Sequence, residues 1–463
     1  MDGDRTYRTS SPLDKKPDGV IRVVVLGGGF GGAYCVQHLE NALRWRPELR
    51  EKVEIVLIDR NNYFAFSPLL VEAGTGSLQP SHAVVGLRQF CRKARFVAAE
   101  VVNFDLKAKT VDFRISGEAG RCTTHFDHLV LSMGTVTLKP PVPGLKEYGY
   151  EMKSLADAIA LRERVVRLLE RANAIDSLEK RRELLTLTVI GGGFTGIEVA
   201  GEFDQYLKKA VRSYPRLSER DVQVVVLNRG DRLLGTLHEE LGKWTHDHLV
   251  RRGIDVRMKT EATAIHPNEV ELSDGTRLPA NTVVWCAGIM PNPSVKFFDV
   301  PTDKRGYILC ERDCRVKGHD AVWALGDAAV NPQASGDAYP ATAQAAVRQA
   351  KFCARNIVHV LEGEPTKPAD FKDLGQLAAF GHGDAVAETF GMRFTGWFAW
   401  FLWRGVYLMK MPGLGRKIRV AVDWTLDLVT RRDFVELGVT PDKPSTEVQD
   451  ATSKADDSRS IAA

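Results

Sequence analysis

The sequence contains no Cys-x-x-Cys pair, no run of about 18 uninterrupted apolar residues, and almost no excess charge. Each absence excludes a class. Its seven cysteines (Cys35, Cys91, Cys122, Cys286, Cys310, Cys314 and Cys353) are odd in number and scattered, which points to reduced thiols in a cytosolic compartment. Without a long apolar run, a membrane-spanning helix is not expected. The 63 basic residues against 59 acidic leave +4, too small a surplus to argue for a nucleic-acid partner. The first 19 residues carry Asp2, Asp4, Asp14 and Asp18 and no apolar segment, unlike a secretory signal or an acid-poor transit peptide. No metal site is expected. At 463 residues the chain is long enough for two or three domains, each with its own core.

What is present is a repeated stretch. Val23 to Leu26 runs into Gly27-Gly28-Gly29-Phe30-Gly31-Gly32, and Leu187 to Ile190 runs into Gly191-Gly192-Gly193-Phe194-Thr195-Gly196. Each copy is a β-branched strand, a Gly-x-Gly-x-x-Gly turn, then residues able to begin a helix. The first glycine (Gly27, Gly191) makes the turn. The second (Gly29, Gly193) lets backbone approach a pyrophosphate, and the third (Gly32, Gly196) lets the helix pack closely, its amide end facing the negative charge. One such turn is weak evidence. Two, each after an apolar strand, imply two bound dinucleotides.

The strand Val53 to Asp59 ends in an acid able to accept from ribose hydroxyls, although an acid there could also be only a surface cap. In the second copy the strand Val222 to Leu227 is followed by Asn228-Arg229, which removes the repulsion a 2′-phosphate would meet and offers it a cation. The aromatic stretch Asn61 to Leu70 is expected to line something flat and apolar. Phe96 to Phe113 reads as a hairpin, Ser154 to Asn173 as an amphipathic helix, and Glu261 to Asn281 as hairpin-rich. His128 to Gly134 and Val283 to Gly288 are buried strands entering glycine turns. A short strand at Ala321 to Leu325 ends in Gly326-Asp327, suited to placing a carboxylate against a flavin's polyol chain or phosphates. A helix beginning around Tyr339 to Gln349 could direct its amide end at a flavin ring.

From Gly391 to Arg432 the composition changes. Four of the eight tryptophans lie here (Trp397, Trp400, Trp403, Trp424), with eight basic residues against Asp423 and Asp427. Aromatics with cations but no spanning length suit an in-plane membrane anchor. A packed C-terminal domain with a solvated basic face is the alternative.

These segments resemble the type II NADH dehydrogenases, non-proton-pumping NAD(P)H:quinone oxidoreductases of the two-dinucleotide-binding-domain flavoprotein superfamily. The resemblance covers roughly Ile21 to Leu437. Its most specific pieces are Gly27 to Gly32, Asn62 to Leu70, Gly191 to Glu198, Trp285 to Pro291, Gly326-Asp327, Thr342 to Gln349, Asp423-Trp424 and Arg432-Asp433. It implies an α/β fold of two Rossmann-like domains in a glutathione-reductase-like arrangement, the second inserted in the first. It also implies FAD on Gly27, Gly29, Gly32 and Asp59, with Gly134, Gly326, Asp327 and Ala343 at the isoalloxazine end. NADH would lie on Gly191, Gly193, Gly196 and Gly288; where the family usually has an acid, Asn228 stands here, so this cofactor site is expected to accept NADPH as well. Glu198 would stand near the nicotinamide, as a proton relay or only a hydrogen-bonding ligand, and Gln344 on the quinone side. The family's Asn-Tyr-His-x-Phe reads Asn62-Tyr63-Phe64-Ala65-Phe66 here, so a proton role for that His is absent.

The expected organisation is a disordered lead (1–19), an FAD-binding domain (20–150 and 300–375), an NAD(P)H-binding domain (151–299), a membrane-anchoring domain (376–437) and a disordered tail (438–463). The expected activity is FAD-dependent NADH oxidation with two-electron reduction of a membrane quinone. The enzyme would be a homodimer, peripheral on the cytoplasmic face of a bacterial inner membrane, held to lipid through 391–432. Two rivals remain. A sulfide:quinone oxidoreductase would need redox cysteines, for which Cys286 and Cys353 have positional appeal. A non-respiratory NAD(P)H-binding sensor or scaffold would need no acceptor site. The missing close cysteine pair after the first turn disfavours a disulfide reductase.

Overall fold

The computed structural model describes residues 10–11, 13–372, 374–436 and 438. Of the expected lead, residues 1–9 and 12 lie outside these; so does the expected tail, Gly438 excepted. From Leu13 the lead is packed: Leu13 is buried, and its carbonyl accepts from Arg22 Nη1 at 2.8 Å and Thr124 Oγ1 at 3.1 Å.

The chain forms two compact units, Met1–Ala65 with Val84–Val136 and Ile289–Asp373, and Phe66–Ala83 with Thr137–Gly288 and Leu374–Ala463. Most of the second unit thus interrupts the first. In the first unit a seven-stranded sheet runs Val322–Ala324, His128–Leu131, Ile21–Leu26, Val53–Asp59, Arg95–Asp105, Thr110–Ile115, Arg121–His125. The first five strands are parallel, so Leu26, Asp59, Leu131 and Ala324 all end at one edge. Such strands are covered on both faces, which is why Val23 to Leu26 reads as an unbroken apolar run. The last two strands return antiparallel, and the expected hairpin is a three-stranded meander. The helix Phe30–Arg44 packs on Ala343–Leu361, with small residues (Ala33, Cys35, Ala350, Cys353, Ala354) in the core they share.

The second unit repeats this plan. Its parallel sheet runs Gly149–Tyr150, Thr282–Trp285, Thr186–Ile190, Gln223–Asn228, Asp255–Met258. The helix Phe194–Ala210 follows the central strand, and Leu155–Ala174 starts from a capping box between Ser154 and Asp157. The expected hairpin segment is the sheet Ala262–Ile265, Glu269–Leu272, Arg277–Pro279.

Three features differ from expectation. The unit boundaries fall after Val136 and Gly288 rather than at 150 and 299. The segment Phe66–Ala83 and the described residues from Leu374 onward belong to the second unit. The cause is close packing: Gly74 abuts Ala158 of the long helix, and Gly201 lies against the Phe380 carbonyl with no room for a Cβ. Finally, the aromatic stretch lines no flat apolar surface at Phe64, whose ring stands edge-on to Phe30, Tyr34 and Phe90 in the first unit's core.

Candidate functional site

Both glycine turns are built alike. Gly27 (φ 95°) and Gly191 (φ 119°) occupy a backbone region that L side chains rarely adopt. A Cβ on Gly27 would strike the Ser132 carbonyl, and one on Gly32 the Gly27 carbonyl oxygen; Gly196 stands in the same relation to Gly191. Gly29 and Gly193 are different. Their φ values, −69° and −80°, suit any residue, and a Cβ on either would meet nothing within 4 Å. The protein's own packing therefore gives no reason for glycine at these two positions, whereas a ligand at the turn does. Each of the two also opens a helix that has no capping side chain and no acid in its first turn. Uncapped helix amides with open space before them fit a diphosphate.

The parallel sheets gather the other predicted residues by topology. Asp59 ends its strand, and Gly134 and Gly326-Asp327 follow theirs, at the same edge as Leu26; Asn228 ends its strand, and Gly288 follows one, beside Ile190. Asp59 Oδ2 accepts from Gly28 N at 2.6 Å and Oδ1 from Asn61 N at 2.7 Å; burial raises its pKa against the pull of those bonds. Asn228 copies the first contact, Oδ1 accepting from Gly192 N at 3.2 Å, while Nδ2 donates to the Gly230 and Arg232 carbonyls. Arg229 is exposed, 3.7 Å from Glu261. Gly326 N donates to Gln349 Oε1 at 2.8 Å, so buried Gln349 holds the Gly-Asp turn. The Ala343 helix is capped by Thr342, whose Oγ1 accepts from Ala345 N; Ala343 and Gln344 form its first turn.

Glu198 lies on the Phe194–Ala210 helix and accepts from the Ala379 amide. Burial, then Glu202 and Glu72, push its pKa well above the carboxylate range. It also opposes ionisation of the Tyr407 phenol. Sequence reasoning missed the group around it. Glu72 Oε2 accepts from Trp424 Nε1 at 2.7 Å, and Oε1 lies 3.8 Å from Arg404. Arg404 stacks 3.8 Å over Trp400 and 4.7 Å over Trp424. Arg432 makes a bidentate pair with Asp427 at 2.6 and 2.8 Å, and lies 4.0 Å from Glu202. Glu202, four residues after Glu198, was the one member whose position the helical repeat could have flagged.

The C-terminal region corrects the anchor expectation in part. Trp400 and Trp403 are each 2 % exposed and Trp424 is buried, so these rings are core and not interface groups. The outward apolar face consists instead of Trp397, Phe398, Phe401, Met409, Leu414 and Ile418 along the helices Gly396–Lys410 and Leu414–Val429. No helix among the described residues is long and apolar enough to cross a membrane.

Two sheets whose central strands run parallel, each leading into a glycine turn and an uncapped helix, define a protein with two dinucleotide-binding units. Residues 21–350 match the family described as pyridine nucleotide-disulphide oxidoreductase, and residues 374–433 match the NDH2 C-terminal domain. The chain belongs to that family, in its type II NADH:quinone oxidoreductase branch. It is 31 % identical over 408 residues to demethylphylloquinone reductase NdbB of Synechocystis sp., covering 87 % of this chain and 95 % of that one. It is 27 % identical over 426 residues to type II NADH:quinone oxidoreductase Ndh of Mycobacterium tuberculosis, covering 89 % of each. In fold it is similar to NDH2 from Plasmodium falciparum in complex with NADH, with a TM-score of 0.81 at 18 % identity over 90 % of this chain and 99 % of that one.

Proposed function

We propose that the protein oxidises NADH and reduces a quinone by two electrons, using FAD, at a membrane surface. The observation that carries this is the pair of glycines, Gly29 and Gly193, whose missing side chains leave room that only ligands require. When bound, FAD supplies a centre that accepts hydride from the nicotinamide and releases electrons to the quinone. The protein's residues bind and orient. The amides that follow Gly29 and Gly193 hold the diphosphates, and Asp59 accepts from a ribose. Gly134, Gly326, Asp327, Ala343 and Gln344 border the flavin, and Gly191, Gly196 and Gly288 shape the nicotinamide-nucleotide pocket. Burial disfavours the charged form of the Glu198 carboxyl and raises its pKa, with Glu202 and Glu72 adding to the shift.

Asn228 braces its own turn and carries no charge, and Arg229 stands exposed beside it. The protein accordingly accepts NADPH as well as NADH. The face from Trp397 to Ile418 seats on lipid with its cations toward anionic headgroups, placing the enzyme peripherally on the cytoplasmic leaflet. A homodimer is the assembly implied by the family resemblance, and sedimentation equilibrium checks it. The cysteines do not support sulfide chemistry. Burial, then Glu198 and Glu151, push Cys286 up to about 12, and burial raises Cys353 as well, so neither is a ready thiolate. Purified protein should be yellow and should bleach on NADH addition without oxygen, then recolour with a soluble quinone. Colourless protein, or colour indifferent to NADH, would overturn the assignment. Bleaching without recolouring would favour the sensor reading.

A further inference from the structure

The first unit holds a cavity of about 440 Å3 whose lining includes none of the residues assigned to either nucleotide. It lies along the helices Phe30–Arg44 and Ala343–Leu361, on their C-terminal halves. The first residues to reach it, His38 and Lys351, stand about two turns, roughly 12 Å, beyond the starts of those helices. The cavity is therefore separate from the glycine turn that the first helix follows.

Its lining is basic. His38, Arg46, Lys351, Arg355, His359 and Lys367 all contribute, and no acid does. The helical repeat places Lys351, Arg355 and His359 on one face, a row of like charges that weakens a helix by itself. The helix dipole accounts for a cation in the last turn, where His359 stands, but it fades before Lys351 and Arg355. Neighbouring acids do not neutralise the row. Glu362 accepts from Arg46 Nε at 2.5 Å, and Glu364 lies 3.9 Å from His359. The side chains of Lys351, Arg355 and Lys367 make no hydrogen bond or ion pair among the described residues. Burial lowers the pKa of His38, and Lys351 and then Arg355 lower it further, so both cations act on the same ring.

The frame around these cations is held in place. Asn356 is 1 % exposed, and its Nδ2 donates to the Asp313 and Lys367 carbonyls at 3.0 and 2.8 Å. Its Oδ1 accepts from the Lys367 amide at 2.9 Å, which fixes the backbone that carries Lys367. Ala42 and half-buried Phe352, whose ring lies 6.2 Å from that of Phe371, add an apolar wall. The volume falls within the roughly 300–1,000 Å3 of small-molecule sites. Several unpaired cations call for an anion of more than one charge, and a guanidinium among them matches phosphate oxygens in pairs. An aromatic wall beside them suits a ring.

We propose that this cavity binds a small organic phosphate of mononucleotide size. Its phosphates lie against Lys351, Arg355 and Lys367, and its organic body against Phe352 and Ala42. The site is independent of the redox reading.

The test is isothermal titration calorimetry of the FAD-loaded full chain with ADP and, separately, with inorganic phosphate. Wild type should bind ADP, and at least about tenfold more tightly than phosphate, since only ADP uses the apolar wall. Lys351→Gln and Arg355→Gln should each weaken ADP by roughly tenfold, the loss of one charge-assisted contact, with flavin content and NADH bleaching unchanged. Should one of these variants not fold, the other carries the test alone. Gly193→Val, altered at the second glycine turn, should bind ADP as wild type does. Absence of ADP binding, or an affinity that neither cavity variant changes, would overturn the site. Loss of binding in Gly193→Val would place ADP at the nicotinamide-nucleotide turn and overturn it equally. Phosphate binding as tight as ADP would overturn the organic-body assignment.

Discussion

At the scale of single residues, the three glycines of each turn make separable predictions. Gly29→Val should fold, because its Cβ enters open space, yet come out colourless; Gly193→Val should stay yellow and fail to bleach with NADH. Flavin content and anaerobic bleaching decide both, and stoichiometric flavin in Gly29→Val would remove the first turn from the site. Gly32→Val should fail differently, losing soluble protein, since its side chain has only the Gly27 carbonyl to displace. Asn228 controls donor choice. Asn228→Glu should shift the ratio of kcat/KM for NADH over NADPH toward NADH by roughly 1–3 kcal/mol, the size of a charge-assisted hydrogen bond to the ribose together with repulsion of a 2′-phosphate. It should also lower Tm, because two carbonyls, Gly230 and Arg232, lose their donor. A ratio that does not move would show that Asn228 does not face the 2′ position.

Among the elements, the two C-terminal helices carry opposite jobs on opposite faces. Their inward face, Trp400, Trp403, Trp424 and Arg404, packs within the second unit, so truncation before Gly391 would strip partners from Glu72 along with any anchor. Point changes separate the roles. Phe401→Asp and Ile418→Asp, at positions 61 % and 55 % exposed, should leave stability within about 0.5 kcal/mol of wild type and abolish co-sedimentation with anionic vesicles. Undiminished vesicle binding in both would place the membrane contact elsewhere. Trp403→Ala, by contrast, should cost about 3–5 kcal/mol through the cavity it leaves. For three of the four tryptophans the interface expectation fails for a local reason. Spacing shows that aromatics recur, but both helix faces carry them, and only packing tells which is covered.

For the molecule as a whole, the buried ions set how stability depends on pH. Glu72 is raised to about 7 when folded, above an unfolded value of about 4.3, so the folded state binds the extra proton between them. Stability from this group is greatest below the unfolded value and declines as pH rises toward 7. Glu72→Gln should flatten that slope in a Tm series from pH 5 to 8. Asp427 runs the other way: Arg432 holds it below its usual range despite burial, so its contribution is present at neutral pH and lost in acid. The parallel strands of the two sheets and both glycine turns were determined by the sequence alone, because their signals are local. A strand buried on both faces must be apolar throughout, and a backbone meeting a phosphate admits little besides glycine. The places of Asp59 and Asn228 at the ends of their strands followed from the same short βαβ spacing. The buried cluster of carboxyls and guanidiniums was decided only by tertiary structure. Glu72 and Trp424 stand 352 positions apart, and nothing in the sequence near Glu202 or Arg404 marks either as buried. Their burial comes from folding the Phe66–Ala83 segment and the C-terminal helices onto one helix of the second unit, and no periodicity within any of those segments encodes that meeting.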